Sequence, residues 1–308
     1  MKRLKYIDII NRNRELSKSI EGEVYKISIL SNVINNKLKE ILEYELRSSK
    51  INAEVVFGNY DTIVQDSRIH QSSNAVIIFW ELSNLINGFQ FQVNTLSDIA
   101  LEDIVEKVKS DFAMVCRSLQ NTGLVLINKF TAFPFSSYSL QENNLEHIAT
   151  SLNEHISNNR PKNFHVLDTE KIVAHLGVER SYTLREYYSS KIFYSVDFYS
   201  VYAKYTFPYF ASSNGRSKKI LVFDCDNTLW SGILGEDGLS GIDMSPNSTI
   251  GIVFSEIQHI ALALTKRGIL IGLCSKNNPE DVDEVLDTHP DMVLHDDDIS
   301  IKKCNWND

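Results

Sequence analysis

Short apolar runs recur along this chain, and the stretches between them carry apolar residues at helical spacing. Residues 24–30, VYKISIL, read as a strand that ends at Ser31-Asn32, a plausible helix cap. Residues 35–49 follow with Leu38, Ile41, Leu42 and Leu46 on one helical face. A strand over residues 53–57 closes at Gly58-Asn59, and residues 75–80, AVIIFW, form a nearly continuous apolar run of the kind covered on both faces. The alternation repeats with a helix over 101–119, a strand over 124–127, a helix over 145–156 and a short strand over 164–167. The basic start, MKRLKYIDIINRNRELSKSI, reads as a surface helix rather than a targeting segment, because Asp8 and Glu15 interrupt its charge and no apolar run long enough for a signal segment follows.

Strands alternating with helices predict parallel pairing and right-handed crossovers, hence a three-layer α/β domain over residues 1–180. The texture then changes. Residues 182–210 are dense in tyrosine and phenylalanine, and a polar SSNGRSKK tract occupies 212–219. Packing between two domains explains such a stretch more simply than a ligand, so 181–217 is read as a connection. A second α/β unit over 218–308 is predicted from a strand at 219–223, a helix at 250–267 before Gly268, and a strand at 269–274. Pro279 opens a further helix, and residues 292–294 read as a third strand. Three strands and two helices fall short of an ordinary domain of roughly 100–150 residues. The expectation is a fragment of a longer enzyme.

Bulk properties narrow the field only slightly. The 308 residues accommodate two domains, and 40 acidic against 31 basic residues argue against a broad nucleic-acid surface. No apolar segment is long enough to span a bilayer. Cys116, Cys225, Cys274 and Cys304 show neither a CxxC pair nor metal-ligand spacing, which points to a reducing cytoplasm.

The candidate chemistry lies at Asp224-Cys225-Asp226-Asn227-Thr228, directly after the apolar run Ile220-Leu221-Val222-Phe223. Two carboxylates two residues apart cannot both continue a strand into a core, so they belong at its carboxyl end, facing a cleft. Such a pair suits a carboxylate nucleophile beside a group that moves a proton, with Mg²⁺ shielding phosphate charge. A solvated turn after a strand is the alternative.

Asp224, Asp226 and Thr228 match D-x-D-x-T, the first motif of the haloacid dehalogenase superfamily, and DNTLWSGILGEDG resembles the DNTLWGGVVGEDG segment of its FkbH-like subgroup. GLCSKN, residues 272–277, resembles the second motif, and residues 289–308 are similar to the segment leading into the third. The resemblance implies Asp224 as nucleophile forming an aspartyl phosphate, Asp226 as general acid and base, and Mg²⁺ held by the Asp224 side chain and the Asp226 carbonyl. It further implies phosphate binding by Thr228, Ser275, Lys276 and Asn277, and an acyl-carrying thiol at Cys274, whose alternative is an inert buried cysteine. The implied activity removes phosphate from a phosphorylated three-carbon acid and loads the glyceryl unit onto an acyl carrier protein. A plain small-molecule phosphatase and a catalytically inert carrier-binding module are the alternatives. The family's third-motif Lys and fourth-motif acidic pair have no positions here, which implies an incomplete Mg²⁺ site and an inactive chain; Lys302 and Lys303 precede the third-motif segment and are not read as substitutes.

The first domain is similar to the SGNH-hydrolase-like module that precedes this phosphatase domain, giving a flavodoxin- or SGNH-like unit followed by an incomplete haloacid dehalogenase-like one. Ser31 matches the place of the SGNH serine. Trp80-Glu81-Leu82-Ser83-Asn84 stands where a G-x-N-D block belongs, and Asp168 and His175 do not form a D-x-x-H pair. Ser31 is therefore read as a helix cap rather than an esterase nucleophile. The trio Asp296 to Asp298 is read as a solvated loop.

Overall fold

In the computed structural model, which describes residues 4–136 and 143–306, the apolar runs form two separate parallel sheets, and the chain divides between them at Arg216 and Ser217. The first sheet contains β1 (Tyr25–Ser31), β2 (Ala53–Tyr60), β3 (Ala75–Phe79), β4 (Leu124–Asn128) and β5 (Phe164–Leu167), in the order β2-β1-β3-β4-β5. All its pairings are parallel, so each connection must cross over. The helices that make or flank these crossovers include α1 (Tyr6–Ser19), α2 (Asn36–Ser48), α3 (Ile63–Ile69), α4 (Asp98–Leu119) and α5 (Asn144–Asn159). The order reverses between β1 and β3, the crevice where open α/β sheets usually take ligands.

β3 lacks alternation because both of its faces are buried. Ala75, Ile77 and Phe79 join one core with Leu38, Ile41, Leu42 and Leu46 of α2. Val76 and Ile78 join the other with Val108, Phe112 and Val115 of α4 and Leu152 of α5. Each large apolar side chain so buried contributes roughly 1.5–3 kcal/mol.

After β5 the chain forms α6 (Glu170–Leu176), α7 (Leu184–Ser190) and α8 (Val196–Ser213). The aromatic stretch expected as a connection is instead part of the first unit: Tyr182, Tyr194, Tyr199, Tyr202 and Phe210 lie in the core shared with β1 and β3. Their hydroxyls explain why the segment is tyrosine-rich. Tyr199 donates to Asn35 Oδ1 at 2.7 Å, Tyr194 to Glu81 Oε1 at 2.7 Å and Tyr202 to Asn128 Oδ1 at 2.9 Å. Those acceptors lie in or just after β4, β3 and the β1–α2 turn, so the rings cover the carboxyl edge of the sheet with this chain's own side chains.

The second unit has β6 (Ile220–Phe223), β7 (Leu270–Ser275) and β8 (Ile299–Cys304) in that spatial order, all parallel, with α9 (Gly251–Thr265) and α10 (Pro279–Thr288). Residues 292–294 are not the third strand. Met292 and Leu294 are buried, but the N–H groups of Val293 and Leu294 donate to the Gln258 side chain at 2.8 and 3.4 Å rather than to a ladder. Their apolar character reflects core burial, and the strand follows them. Leu221, Phe223, Ile271 and Leu273 pack in the core with Ala261 of α9 and Val282 and Val285 of α10. The opposite face presents Ile220, Val222, Leu270 and Ile301, 45–58% exposed. Among the described residues no helix is long and apolar enough to cross a membrane.

Candidate active site

β6 delivers Asp224 and Asp226 to its carboxyl end and turns Cys225 between them fully into the core. The N–H groups of Thr228 and Leu229 both donate to the Cys225 carbonyl, at 3.1 and 2.8 Å, closing a tight turn. That turn requires Asn227 at φ 53°, a left-handed conformation that Asn tolerates better than most residues. Its Oδ1 accepts the Gly232 N–H at 3.1 Å, which fixes the segment leaving the turn.

The two carboxylates have different surroundings. Asp224 is exposed, and its Oδ1 accepts the Cys225 N–H and the Ser275 hydroxyl, each at 2.8 Å. Its Oδ2 accepts no hydrogen bond among the described residues, leaving that oxygen for a ligand. Asp226 is half-buried; its Oδ1 accepts from Trp230 Nε1 at 3.0 Å and the Leu234 N–H at 3.1 Å, and its Oδ2 accepts Asn277 Nδ2 at 3.1 Å. Three donors fix its orientation. One site thus holds an open carboxylate oxygen beside a braced carboxylate.

A cleft of about 700 Å³ lies over this pair, lined by Asp224, Asp226, Cys274, Ser275, Lys276, Lys303 and Asn305. Of the residues expected to bind phosphate, Ser275 and Lys276 are in its wall. Asn277 is 2% exposed and its amide bridges Asp226 and the Ser275 hydroxyl at 3.1 Å each, so it braces the site from behind. Thr228 is half-buried in the turn and does not line the cleft.

Lys303 is the site residue that reading the motifs passes over. The pairing of Cys274 with Lys303 puts it on the cleft side of β8. Lys302, one residue earlier, points elsewhere and pairs with Asp283 at 2.5 Å and with Asp296; hydrogen bonds to those two carboxylates raise its pKa. Strand alternation is the signal that separates the two lysines, and it becomes usable only once β8 is placed. Asp296 to Asp298 form a 3₁₀ turn, and among the described residues no cluster of three His, Cys, Asp or Glu could hold a metal.

The four cysteines also separate by environment. Cys274 is exposed in the cleft, whereas burial pushes the thiols of Cys225 and Cys116 up to about 12 and raises that of Cys304. Brief treatment of the folded chain with iodoacetamide at neutral pH is expected to alkylate Cys274 first, read by peptide mapping; equal labelling of Cys225 would contradict this arrangement.

Ser31 has neither of the roles weighed for it. Helix α2 begins after Asn35, so Ser31 is not its cap. Its hydroxyl donates to the Val33 carbonyl at 2.8 Å and accepts from the Val33 N–H and Asn35 Nδ2, a local turn with no histidine in reach.

No family model and no curated protein matches the chain. Among solved structures, the N-terminal part of the protein BF1531 from Bacteroides fragilis, described as containing a phosphatase domain complexed with Mg, aligns with a TM-score of 0.78 at 23% identity. The alignment covers 99% of this chain and 82% of that one. The shared fold is a mixed α/β one built on parallel sheets. That likeness spans both units and concerns architecture alone. Salicylyl-acyltransferase SsfX3, from a tetracycline biosynthetic pathway, aligns at 10% identity over 63% of this chain and 56% of its own, with a TM-score of 0.39. It is too distant to inform the site.

Proposed function

We propose that the second unit performs Mg²⁺-dependent phosphoryl transfer of the haloacid dehalogenase type. The observation that carries this reading is the asymmetry of the carboxylates: Asp224 keeps one oxygen open to the cleft, while Asp226 is held by three donors. Asp224 Oδ2 attacks the phosphorus, and the Cys225 N–H and Ser275 hydroxyl hold Oδ1 so that the attacking oxygen is aimed. Asp226 Oδ2 retains a lone pair and takes or returns the proton of the leaving group or water. Lys276 offsets phosphoryl charge from the end of β7.

Mg²⁺ is commonly held by one or two carboxylates together with water and substrate phosphate, so the Asp224 side chain with the Asp226 carbonyl would hold an ion loaded along with its substrate. When bound, the ion screens the phosphoryl oxygens. The Bacteroides fragilis neighbour, described as a phosphatase domain with Mg, supports the same assignment. Two consequences are measurable. Mg²⁺ alone should bind weakly by calorimetry and more tightly with inorganic phosphate present, and release of phosphate from p-nitrophenyl phosphate should cease on chelation. Hydrolysis unchanged by EDTA would remove the metal-dependent reading. Turnover should be slow, because among the described residues the Asp224 carboxylate must serve both the metal and the attack on phosphorus.

The finer proposal is an FkbH-type reaction in a reducing cytoplasm: the Cys274 thiol attacks the acyl-phosphate carbon of a bisphosphorylated three-carbon acid and expels inorganic phosphate as the thioester forms, the remaining phosphoester is hydrolysed at Asp224, and the glyceryl unit passes by thioester exchange to the thiol of an acyl carrier protein. Exposure of Cys274 in the same cleft as Asp224 supports this over a plain phosphatase. Intact-mass analysis of a carrier protein incubated with enzyme and bisphosphorylated substrate tests it. An unmodified carrier beside released phosphate would leave the plain phosphatase.

A further inference from the structure

We infer that Lys303 is a specificity-determining residue that binds a second anionic group on the substrate, a carboxylate or phosphate separate from the reacting phosphoryl. The inference rests on the phosphoryl-transfer reading and adds what that site selects.

Lys303 projects from β8 on the row that carries Cys274 on β7, with Asp224 continuing the row beyond β6. Adjacent strands lie about 4.8 Å apart, so the backbones of Lys303 and Asp224 are separated by roughly 10 Å, with the Cys274 thiol between them. The end of β8 is fixed in place: the Asn305 N–H donates to the Ser275 carbonyl at 3.1 Å, and Trp306 Nε1 donates to Asn278 Oδ1 at 3.0 Å. Lys303 therefore has a set origin and a flexible four-carbon reach into the cleft.

Its charge is what calls for a ligand. Lys302 beside it has two carboxylate partners, whereas Lys303 has no hydrogen bond or ion pair among the described residues. It lines the same cleft as Asp224 and Ser275. A phosphoryl group above Asp224 Oδ2, beyond the end of β6, is met by Lys276 just after β7. Lys303 lies one strand further on, suitably placed for an anion a few bonds from that phosphorus. A small phosphate ester with a second negative group spans the two positions, and one ending in a neutral hydroxyl leaves the ammonium without a partner.

The test is calorimetric titration of the 308-residue chain and of Lys303→Met, with Mg²⁺ present, using glycerol 3-phosphate, 3-phosphoglycerate and propane-1,3-diyl bisphosphate. Wild type is expected to bind at least one of the doubly anionic ligands about tenfold more tightly than glycerol 3-phosphate. The identity of that ligand tells carboxylate from phosphate recognition. Lys303→Met should remove the difference while leaving glycerol 3-phosphate within about twofold, and Lys303→Arg should restore most of it. Equal affinities in wild type, binding of none of the three, or a uniform loss for all three in Lys303→Met would overturn the proposal. Phosphate release measured in the same samples keeps the underlying reading separate: discrimination dependent on Lys303 without phosphate release would leave the second-anion site standing and remove hydrolysis.

Discussion

Asp224→Asn is expected to lower phosphate release by at least about 10³-fold, equivalent to roughly 4 kcal/mol of transition-state stabilisation, without unfolding the chain. The amide is nearly the size of the carboxylate, and its oxygen can still accept the Cys225 N–H and the Ser275 hydroxyl that now meet Oδ1. What disappears is the unbonded anionic oxygen, replaced by an NH₂ group that cannot attack phosphorus or help hold a cation. Removing one of two nearby carboxylates also relieves repulsion with Asp226, so the melting temperature should be unchanged or slightly higher. Activity and melting must be measured together. A variant that keeps a tenth of the wild-type rate would place the nucleophile elsewhere, and one that loses activity together with its fold would not bear on chemistry.

A second large effect is expected in the other unit, where Glu81 should make stability depend on pH. Glu81 follows β3, is 2% exposed, and burial pushes its carboxyl from an ordinary 4.5 to about 7, with the Tyr194 hydrogen bond at 2.7 Å pulling the other way. A carboxyl raised on folding binds its proton more tightly in the folded chain. Its stabilising contribution is complete below about 4.5, declines as pH rises, and is gone once pH passes about 7. The difference between 4.5 and about 7 corresponds to about 3 kcal/mol. Urea unfolding of the first unit between pH 4.5 and 8 should therefore show falling stability towards the alkaline end. Glu81→Gln keeps an acceptor for Tyr194 and does not titrate, so its profile should be flatter by that amount. If the two profiles run parallel, Glu81 is not the group responsible.

The extent to which the sequence foretold the structure follows from what each feature depends on. β3 and α2 were legible because AVIIF is apolar throughout and Leu38, Ile41, Leu42 and Leu46 keep one helical face; the pattern and the burial are the same fact. The placement of Asp224 and Asp226 at a strand end was legible for a related reason, since charge cannot follow an apolar strand inward. The third strand was misplaced because Met292 and Leu294 are apolar for the core, while β8 is largely exposed and resembles a polar loop. With β8 misplaced, the opposite directions of Lys302 and Lys303 could not be read. The tyrosines around Glu81 lie about a hundred residues from it in sequence, and nothing local reveals such a pairing. Ser31 failed as a helix cap because the helix starts later than the Ser-Asn pair suggests, with Asn35, four residues on, in the cap position while the Ser31 hydroxyl closes a local turn.

Trp230 ties the site to something that can be seen with light. Its ring is fully buried, and its indole N–H is bonded to the Asp226 oxygen that also receives the Leu234 N–H. Indole emission responds to the charge and hydrogen bonding at that nitrogen. An event that protonates or reorients Asp226 therefore alters the environment of a chromophore built into the turn. The other tryptophans have different partners: Trp80 packs near Phe130 in the first unit, and Trp306 bonds Asn278 at the surface. The brace that holds the proton-handling carboxylate is also a fluorescence probe native to the chain, positioned one hydrogen bond from the reaction.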